Sequence, residues 1–385
     1  MKVGKAHIIA ARRTAVGRLG GLHRNRKLED LAGPVIVQAL DDAAIASNRV
    51  DMLVLGNTSA GNNPARLVSL LAGLPDHCVA LSIDRHDASG LEAITTAVRR
   101  IEAGEAEIIV AGGAESLSTA PWRLAKPRTL FHMPRFIGLA QSDNGENGER
   151  PAIEAAETLA ARMGISRRHQ DEYAITNHIR ATLARDARRF VREIVPLKGR
   201  TEEARDELVD EPDIEDMEGY PALLGEGTVT AGNTSLPADA SAFVVVVSEQ
   251  VYEKAGRPPA LVLDATASIG VAPAADLEAP IDAARRLDEK AAPPPLDEQQ
   301  AVELAETSAA QAIAFGTALG LTEDILNADG GQIARGQPGG ASSAVLAVRL
   351  FTRLVRYETA SPHSHGTAVC GASGGQALAV RFRRA

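Results

Sequence analysis

The chain has 385 residues, of which 45% are hydrophobic and 24% charged, and its net charge is −9. These values are typical of a globular protein, and the length predicts two or three domains. The acidic balance and the few aromatic residues (7 Phe, 4 Tyr and 1 Trp) argue against a nucleic-acid partner. Two cysteines, Cys78 and Cys370, are too few for a disulfide scaffold or a cysteine-based zinc site.

The sequence contains no run that approaches the roughly 18 to 20 apolar residues of a membrane-spanning helix. Its first residues also lack the apolar stretch of a signal peptide. We therefore expect a cytoplasmic protein with reduced thiols and no membrane partner.

Short apolar runs alternate with amphipathic segments in the first third of the chain. The predicted strands are His7–Ala11, Met52–Leu55, Val79–Ile83 and Glu107–Ala111. The predicted helices between them are Leu28–Ile45, Ala65–Leu71 and Leu91–Glu102. This alternation predicts an α/β sheet with both faces covered by helices.

Residues 118–227 interrupt the alternation. They contain a stretch rich in Pro, Gly and Asn (Pro121 to Pro151), two predicted helices (Ile153–Met163 and Arg168–Phe190) and an acidic loop (Glu202–Glu218). We interpret them as an insertion that lies over the main sheet.

The alternation then resumes. The predicted strands are Ala242–Ser248, Ala260–Ala265, Val302–Glu306 and Ile325–Ala328, and the predicted helices are Pro280–Ala291, Ala309–Leu319 and Gly340–Leu354. Gly366–Val369 and Ala377–Phe382 are predicted to form a hairpin. The similar order of elements predicts two related halves. We assign residues 1–117 plus 228–256 to the first half, 118–227 to the insertion and 257–385 to the second half.

Six segments resemble the thiolase family in order and spacing. They are IIAARRTAVGRLGG near the start, GGAESLSTAPW (Gly112–Trp122), GISRRHQDEYAITNH (Gly164–His178), GTVTAGNTSLPADASA (Gly227–Ala242), GGQIARGQPGGAS (Gly330–Ser342) and SGGQALAV (Ser373–Val380). The resemblance implies the thiolase fold, an α/β architecture of two similar halves in αβαβα layers with an inserted loop domain. It also implies reversible Claisen chemistry on acyl-CoA thioesters, carried out by a cysteine nucleophile, a histidine, an asparagine-held water and a second cysteine.

The nucleophile of the family lies in a pattern like N-R-x-C-x-S-G, which corresponds here to Asp84–Gly90 and places Asp87 at the cysteine position. A carboxylate is a harder and weaker nucleophile than a thiolate, and its acyl product would be an anhydride. Two interpretations remain open. Asp87, or Ser89 with Glu92, caps the helix that follows, or Asp87 is a catalytic carboxylate.

The other three catalytic positions also differ from the family. Gln337 stands in place of the histidine, and an amide can donate a hydrogen bond but cannot act as a base. Ala305 replaces the asparagine, so no side chain there can hold a water. A gapless match places Gly371 at the second cysteine, with Cys370 one residue away and interpreted as a buried core residue.

The resemblance assigns Ser268 and Gly374 to contacts with coenzyme A. In the segment Asp276–Pro280, however, the two glycines of the family pattern are replaced and two carboxylates are added, and this weakens the case for tight binding of an anionic cofactor. We predict no metal site and no required cofactor, and a coenzyme A thioester is the candidate ligand.

Three hypotheses follow from these residues. The protein is a non-condensing member of the family that binds an acyl thioester, or an enzyme that acts on β-keto or acyl thioesters through Asp87 and Gln337, or a structural or partner subunit whose pocket has closed. The resemblance also implies a homodimer or a higher oligomer.

Overall fold

The computed structural model describes residues 4–127, 129, 133–137, 150–197, 204–209, 212–357, 361 and 364–385. Parts of the predicted Pro121–Pro151 stretch and of the acidic loop Glu202–Glu218 lie outside these residues. The strands are β1 (Ala6–Arg13), β2 (Gly17–Arg18), β3 (Met52–Gly56), β4 (Val79–Ile83), β5 (Ile108–Glu115), β6 (Leu124–Ala125), β7 (Arg135–Phe136), β8 (Ala238–Ser248), β9 (Leu261–Gly270), β10 (Ala301–Ala305), β11 (His365–Ala372) and β12 (Gln376–Arg384).

The helices are α1 (Leu28–Asp42), α2 (Pro64–Leu71), α3 (Ser89–Glu102), α4 (Arg150–Met163), α5 (Arg167–Asp186), α6 (Ile214–Glu218), α7 (Glu249–Lys254), α8 (Ala279–Lys290), α9 (Ala309–Leu319), α10 (Gln332–Arg335) and α11 (Ser342–Phe351). Short 3₁₀ turns precede α8 and α11, at Pro273–Glu278 and Gly339–Ala341.

Nine strands form two sheets that meet at one edge, β2 pairs with β8, and β6 and β7 form a separate pair. The first half has the order β4-β3-β5-β8-β1, and the second half has the order β9-β12-β11-β10. Ile8 of β1 pairs with Leu261 of β9, and this pairing joins the two sheets. In the first sheet β3, β4 and β5 are parallel, whereas β8 runs antiparallel to β5 and β1.

Helices α3 and α11 lie between the two sheets and form the central layer. The hydrophobic core there joins Leu91 and Ile94 of α3 to Val345 and Leu346 of α11 and to residues of both sheets. Every residue of α11 is buried. Such a helix has no solvent-facing side, which explains why its sequence is apolar nearly all round. Separate cores pack α1 and α2 on the outer face of the first sheet and α8 and α9 on the outer face of the second. The resulting order of layers is αβαβα, as the resemblance implies.

One predicted strand is wrong. Residues Ile325–Ala328 form no strand, and Leu326 makes a single parallel bridge to Val302. Asn327 instead adopts a left-handed backbone conformation (φ +43°). Its side-chain Oδ1 accepts from the backbone N–H of Leu304 at 2.8 Å, and its Nδ2 donates to the backbone carbonyl of Leu304 at 3.2 Å. The Asn327 side chain therefore satisfies the backbone groups of Leu304 that a neighbouring strand would otherwise pair with, as asparagine side chains do in turns.

The insertion is fastened to both halves through a buried cluster of charges. Glu193, which follows α5, accepts hydrogen bonds from Arg13 of β1 at 2.9 Å and from Arg349 of α11 at 2.7 Å. Arg13 also pairs with Asp206 at 2.6 Å, and Arg349 pairs with Asp329. All five side chains are buried. A buried charge is tolerated only when it is paired, so these contacts fix the position of α11 relative to β1.

We predict that Arg349→Met lowers the free energy of unfolding by about 3–5 kcal/mol, because Glu193 and Asp329 each lose a charged partner in the interior. Chemical denaturation would measure this loss. The control is Arg285→Met, because the Arg285 side chain is 55% exposed and lies 4.0 Å from its partner Asp282. Such a surface pair contributes at most about 0.5 kcal/mol. Equal losses in the two variants would contradict the role given to the buried cluster.

Candidate functional site

Asp87 lies in the turn between the edge strand β4 and α3. Ser89, the first residue of α3, closes this turn: its hydroxyl accepts from the backbone N–H of Arg85 at 2.8 Å and donates to the carbonyl of His86. Gly56 of β3 allows the close approach, because a Cβ there would lie 2.4 Å from the carbonyl carbon of Ser89. The sequence therefore places Asp87 at the N-terminal end of a buried helix.

The surroundings of Asp87 are poorly hydrated but polar. Burial raises the pKa of its carboxyl to about 6, against the opposing effects of hydrogen bonding by Gln337 and Ser342 and of the nearby His86. The negative charge of Glu115 adds to the increase. The Asp87 carboxyl thus has polar neighbours that only partly offset the effect of burial, and its pKa of about 6 lies well above the ordinary value.

Gln337 is held so that its amide nitrogen is available to Asp87. Its backbone N–H donates to the carbonyl of Leu236 at 2.8 Å, and its carbonyl accepts from Ala238 at 3.1 Å. The hydroxyl of Ser235 donates to its side-chain Oε1 at 2.9 Å. Since the oxygen of the amide is occupied, the NH₂ group is the part that can stabilise the Asp87 carboxylate and lower its pKa.

Ser342, at the start of α11, was not identified from the sequence. Its hydroxyl is fully buried, makes no hydrogen bond of normal length within the described residues, and has Asp87 as a polar neighbour. Its position depends on Glu115, whose carboxylate accepts from the backbone N–H of Gly340 at 2.9 Å, just before α11. The GG-x-ES segment that contains Glu115 belongs to the resemblance, but nothing in it indicates this contact.

Glu115 also ties the two halves together. It accepts hydrogen bonds from Asn57 Nδ2 at 2.8 Å, from Thr58 Oγ1 at 2.7 Å and from the backbone N–H groups of Thr58 and Ser59. These donors belong to the first half, whereas Gly340 belongs to the second. A fully buried carboxylate needs this many donors to compensate for lost hydration.

The two residues at the predicted second-cysteine position lie on opposite faces of β11. Cys370 pairs with Ala305 in the parallel ladder, is fully buried, and packs in the central core that includes Ala88. A Cβ on Gly371 would instead contact Pro280 of α8 at 3.5 Å, on the outer face. The predicted register, which assigned Gly371 to the site, is therefore corrected. Side chains alternate along a strand, so Cys370 and Gly371 face opposite sides of β11. The thiol of Cys370 is the one on the side of Asp87.

Burial disfavours the thiolate form of both cysteines. Burial raises the pKa of Cys370 well above its ordinary value, and the Asp87 charge raises it further. Burial also raises the pKa of Cys78, which is 2% exposed. Ala305, the strand partner of Cys370, is 3% exposed, and its side chain is a methyl group that cannot hold a water molecule.

The groups predicted to contact coenzyme A are occupied by other protein atoms. Ser268 of β9 accepts a hydrogen bond from Arg85 Nη2 at 2.7 Å. Gly374 and Gly375 form the turn between β11 and β12, and the N–H of Gly375 donates to Asp276 Oδ1 at 3.0 Å. Partial burial raises the pKa of Asp276, although the two turn N–H groups and His86 oppose the increase. The structure thus brings Asp276 and His86 to the site together with Asp87.

In the described part of the chain, no group of three or more His, Cys, Asp or Glu side chains is arranged to hold a metal ion. The same residues include no helix with the length and apolar character needed to cross a bilayer.

Comparisons with known proteins agree with this architecture. The family model of the thiolase N-terminal domain matches residues 6–250, and that of the thiolase C-terminal domain matches residues 258–384. A putative acetyl-CoA C-acetyltransferase of Staphylococcus epidermidis is 33% identical, and 98% of each chain is covered. An acetyl-CoA acetyltransferase of Cupriavidus necator is 34% identical, again with 98% of each chain covered.

Solved structures extend the likeness to three dimensions. The Bacillus anthracis acetyl-CoA acetyltransferase superimposes with a TM-score of 0.91 at 29% identity and full coverage of both chains. Human mitochondrial 3-ketoacyl-CoA thiolase, solved in complex with CoA, gives 0.90 at 28% identity, with 100% of this chain and 99% of that chain covered.

We predict that Asp87→Asn stabilises the protein in a pH-dependent way. The folded-state pKa of about 6 lies above the ordinary value of 3.8. The ionised carboxylate therefore costs stability above pH 6, and this cost disappears as the pH falls towards 4. The variant should gain about 1–3 kcal/mol at pH 7 to 8 and progressively less in acid.

Melting temperatures measured across this pH range test the prediction, with Asp41→Asn on the exposed end of α1 as the control. A gain that is absent at every pH, or equal in both variants, would show that Asp87 is as well hydrated in the folded chain as in the unfolded one.

Proposed function

This chain belongs to the thiolase family, and we propose that within the family it binds an acyl thioester at Asp87, Gln337 and Ser342 without transferring the acyl group to a cysteine. One observation carries the proposal: a carboxylate lies at the N-terminal end of α3, and both thiols are buried with raised pKa values. The thiolate is the reactive form of cysteine, so a thiol that stays protonated cannot be acylated at a useful rate.

The polar groups around Asp87 support binding of a carbonyl compound. The Ser342 hydroxyl is buried without a hydrogen bond of normal length, and such a group is costly unless a ligand or a water completes it. A thioester oxygen would accept from this hydroxyl, and the protonated form of Asp87 could donate to it as well. No cofactor beyond the thioester itself is required by this arrangement.

A second candidate function is acid–base catalysis on the bound thioester, such as hydrolysis or the decarboxylation of a β-keto thioester. The observation that favours it is the pKa of about 6 for Asp87. A general base is most effective when its pKa lies near the working pH, because it is then both ionised and basic. The relatives are named acetyltransferases, and this candidate function differs from acyl transfer because it uses no thiolate.

We predict that acetyl-CoA or acetoacetyl-CoA raises the melting temperature of the protein and that intact-mass spectrometry after incubation finds no acyl group on either cysteine. Ser342→Ala should weaken binding several-fold, as loss of one hydrogen bond of about 1 kcal/mol requires. Ser47→Ala, an exposed serine far along the chain from the site, is the matched control.

Two results would overturn the proposal. An acyl adduct on Cys370 or Cys78, or thiolysis of acetoacetyl-CoA at a thiolase-like rate, would restore cysteine chemistry. The absence of any thermal shift or heat of binding with both thioesters would instead favour a structural or partner subunit.

We further propose that two copies of the chain pair along β4. This strand is the outer strand of the first sheet and, among the described strands, pairs with β3 alone. Large apolar side chains beside it are exposed, among them Val79 (57%) and Leu71 (61%) at the end of α2. An open strand edge flanked by apolar surface favours association with a second copy.

We expect light scattering after size exclusion to give the mass of a dimer or a higher multiple. Val79→Lys should shift this mass towards the monomer, because a lysine on an edge strand disfavours pairing. Leu183→Lys, at an equally exposed leucine on α5 (63%), should leave the mass unchanged. A monomeric mass for the unmodified chain would contradict pairing.

A further inference from the structure

A cleft opens at the joint between the two sheets, where Ile8 of β1 pairs with Leu261 of β9. It has a volume of about 590 Å³, and its walls come from the residues around the start of β1, from α7 and the turn that follows it, and from β9 and β12. Small-molecule sites have volumes of roughly 300–1,000 Å³ and often form between structural units. The cleft therefore has the size and the place of a ligand site.

This cleft lies at the opposite edge of the first sheet from Asp87. His7 of β1 and Ile108, the first residue of β5, both pair with Val247 of β8. Glu115, which holds the loop before α11, is the last residue of β5. At a rise of about 3.3 Å per residue, the eight residues of β5 separate the two ends by about 23 Å. A ligand in the cleft would therefore leave the proposed thioester site free.

One wall of the cleft is a pair of stacked rings. The imidazole of His7 and the ring of Tyr252 on α7 have their centroids 3.9 Å apart and their planes 7° from parallel. Glu249, at the start of the same helix, contacts His7 Nε2 at 2.7 Å. His7 and Tyr252 are only 5% and 7% exposed, so packing fixes both rings. This wall is formed before any ligand arrives.

The acidic side chains beside the cleft are already paired. Glu249 contacts His7, and its Oε1 lies 4.0 Å from Arg257 Nη2. Arg257 pairs more closely with Glu253, at 2.5 Å. These pairs reduce the repulsion that the two carboxylates would otherwise exert on an anion in the cleft.

Two cations that line the cleft have no such partner. Lys5 is exposed, and Arg383 of β12 is half-buried and donates from Nη1 to the backbone carbonyl of Arg384 at 3.2 Å. Within the part of the chain that the structure describes, neither side chain pairs with a carboxylate. The protein as a whole carries a net charge of −9, so these two unpaired cations give the cleft a local attraction for an anion.

We infer that this cleft is a binding site for a small phosphate-bearing molecule, with Lys5 and Arg383 holding the phosphate and the rings of His7 and Tyr252 forming the adjoining wall. A guanidinium group binds phosphate oxygens through paired hydrogen bonds, and a lysine ammonium binds them as a point charge. A phosphate monoester carries about two negative charges at neutral pH and three acceptor oxygens, so one group can satisfy both cations. A carboxylate carries a single charge and would satisfy only one.

The bound phosphate would connect the two halves of the protein. Lys5 directly precedes β1 of the first half, whereas Arg383 belongs to β12 of the second. A ligand that contacts both side chains binds only the folded arrangement, because the two residues are brought together by the joint between the sheets. It should therefore stabilise the folded chain in proportion to its concentration above the dissociation constant.

Pyrophosphate is the probe, and isothermal titration calorimetry with the full chain is the measurement. We expect binding that weakens as the salt concentration rises. Lys5→Gln and Arg383→Gln should each weaken it about tenfold or more, as loss of one charge-assisted hydrogen bond requires. Lys254→Gln is the matched control, because it removes the same charge from an exposed position of α7 outside the cleft and should leave the affinity unchanged.

A second measurement needs no variant. Acetic anhydride should acetylate both Lys5 and Lys254, and saturating pyrophosphate should protect Lys5 alone, as peptide mass spectrometry would show. Absence of pyrophosphate binding, equal affinity in Lys5→Gln, Arg383→Gln and the unmodified chain, binding without protection of Lys5, or equally tight binding of acetate would each overturn the inference. None of these outcomes bears on the proposed binding of a thioester at Asp87, which is tested separately.

Discussion

The pairing of Glu193 with two buried guanidinium groups is the contact on which the geometry of this protein depends. Glu193 comes from the insertion, Arg13 from the first strand and Arg349 from the central helix α11. None of the three side chains is exposed, so each would carry a large desolvation cost without the others. The cluster therefore determines where α11 lies, and α11 begins at Ser342, next to Asp87. A charge cluster made of other residues thus sets the position of one wall of the site.

The frame of the site holds a carboxyl group in an environment that opposes its ionisation. Glu115 holds the loop before α11 through Gly340, and the turn at Ser89 presents residue 87 at a helix N-terminus. A helix N-terminus stabilises an anion, whereas burial and Glu115 destabilise it. The result is a carboxyl that changes charge near neutral pH. Such a group is better suited to moving protons than to attacking a carbonyl, because the anhydride that attack would form is less stable than a thioester.

Much of this arrangement could be predicted from the sequence, since apolar runs and turn residues carry local information. The α/β class follows from such patterns, whereas the αβαβα layers and the placement of Asp87 and Gln337 at one site were expected only from the resemblance to the thiolase family. The register of Cys370 and Gly371 could not be predicted, because a slip of one residue on a strand leaves the sequence pattern almost unchanged but reverses the face. The predicted strand at 325–328 failed because the Asn327 side chain, rather than the backbone, completes the ladder.

Asp276 was noted in the sequence only for its charge, and Ser342 was not identified at all, because their places at the site arise only from contacts between distant segments. His86 and Asp276 are about 190 positions apart, and Ser342 reaches Asp87 from a third segment. The same folding that gathers them also occupies Ser268 with Arg85 and the Gly375 N–H with Asp276. The thioester that we propose as ligand would therefore compete with internal hydrogen bonds at the contacts that the resemblance gives to coenzyme A, but not at the Ser342 hydroxyl. Affinity should then come mainly from the acyl and carbonyl end of the ligand, where buried polar groups remain incompletely paired.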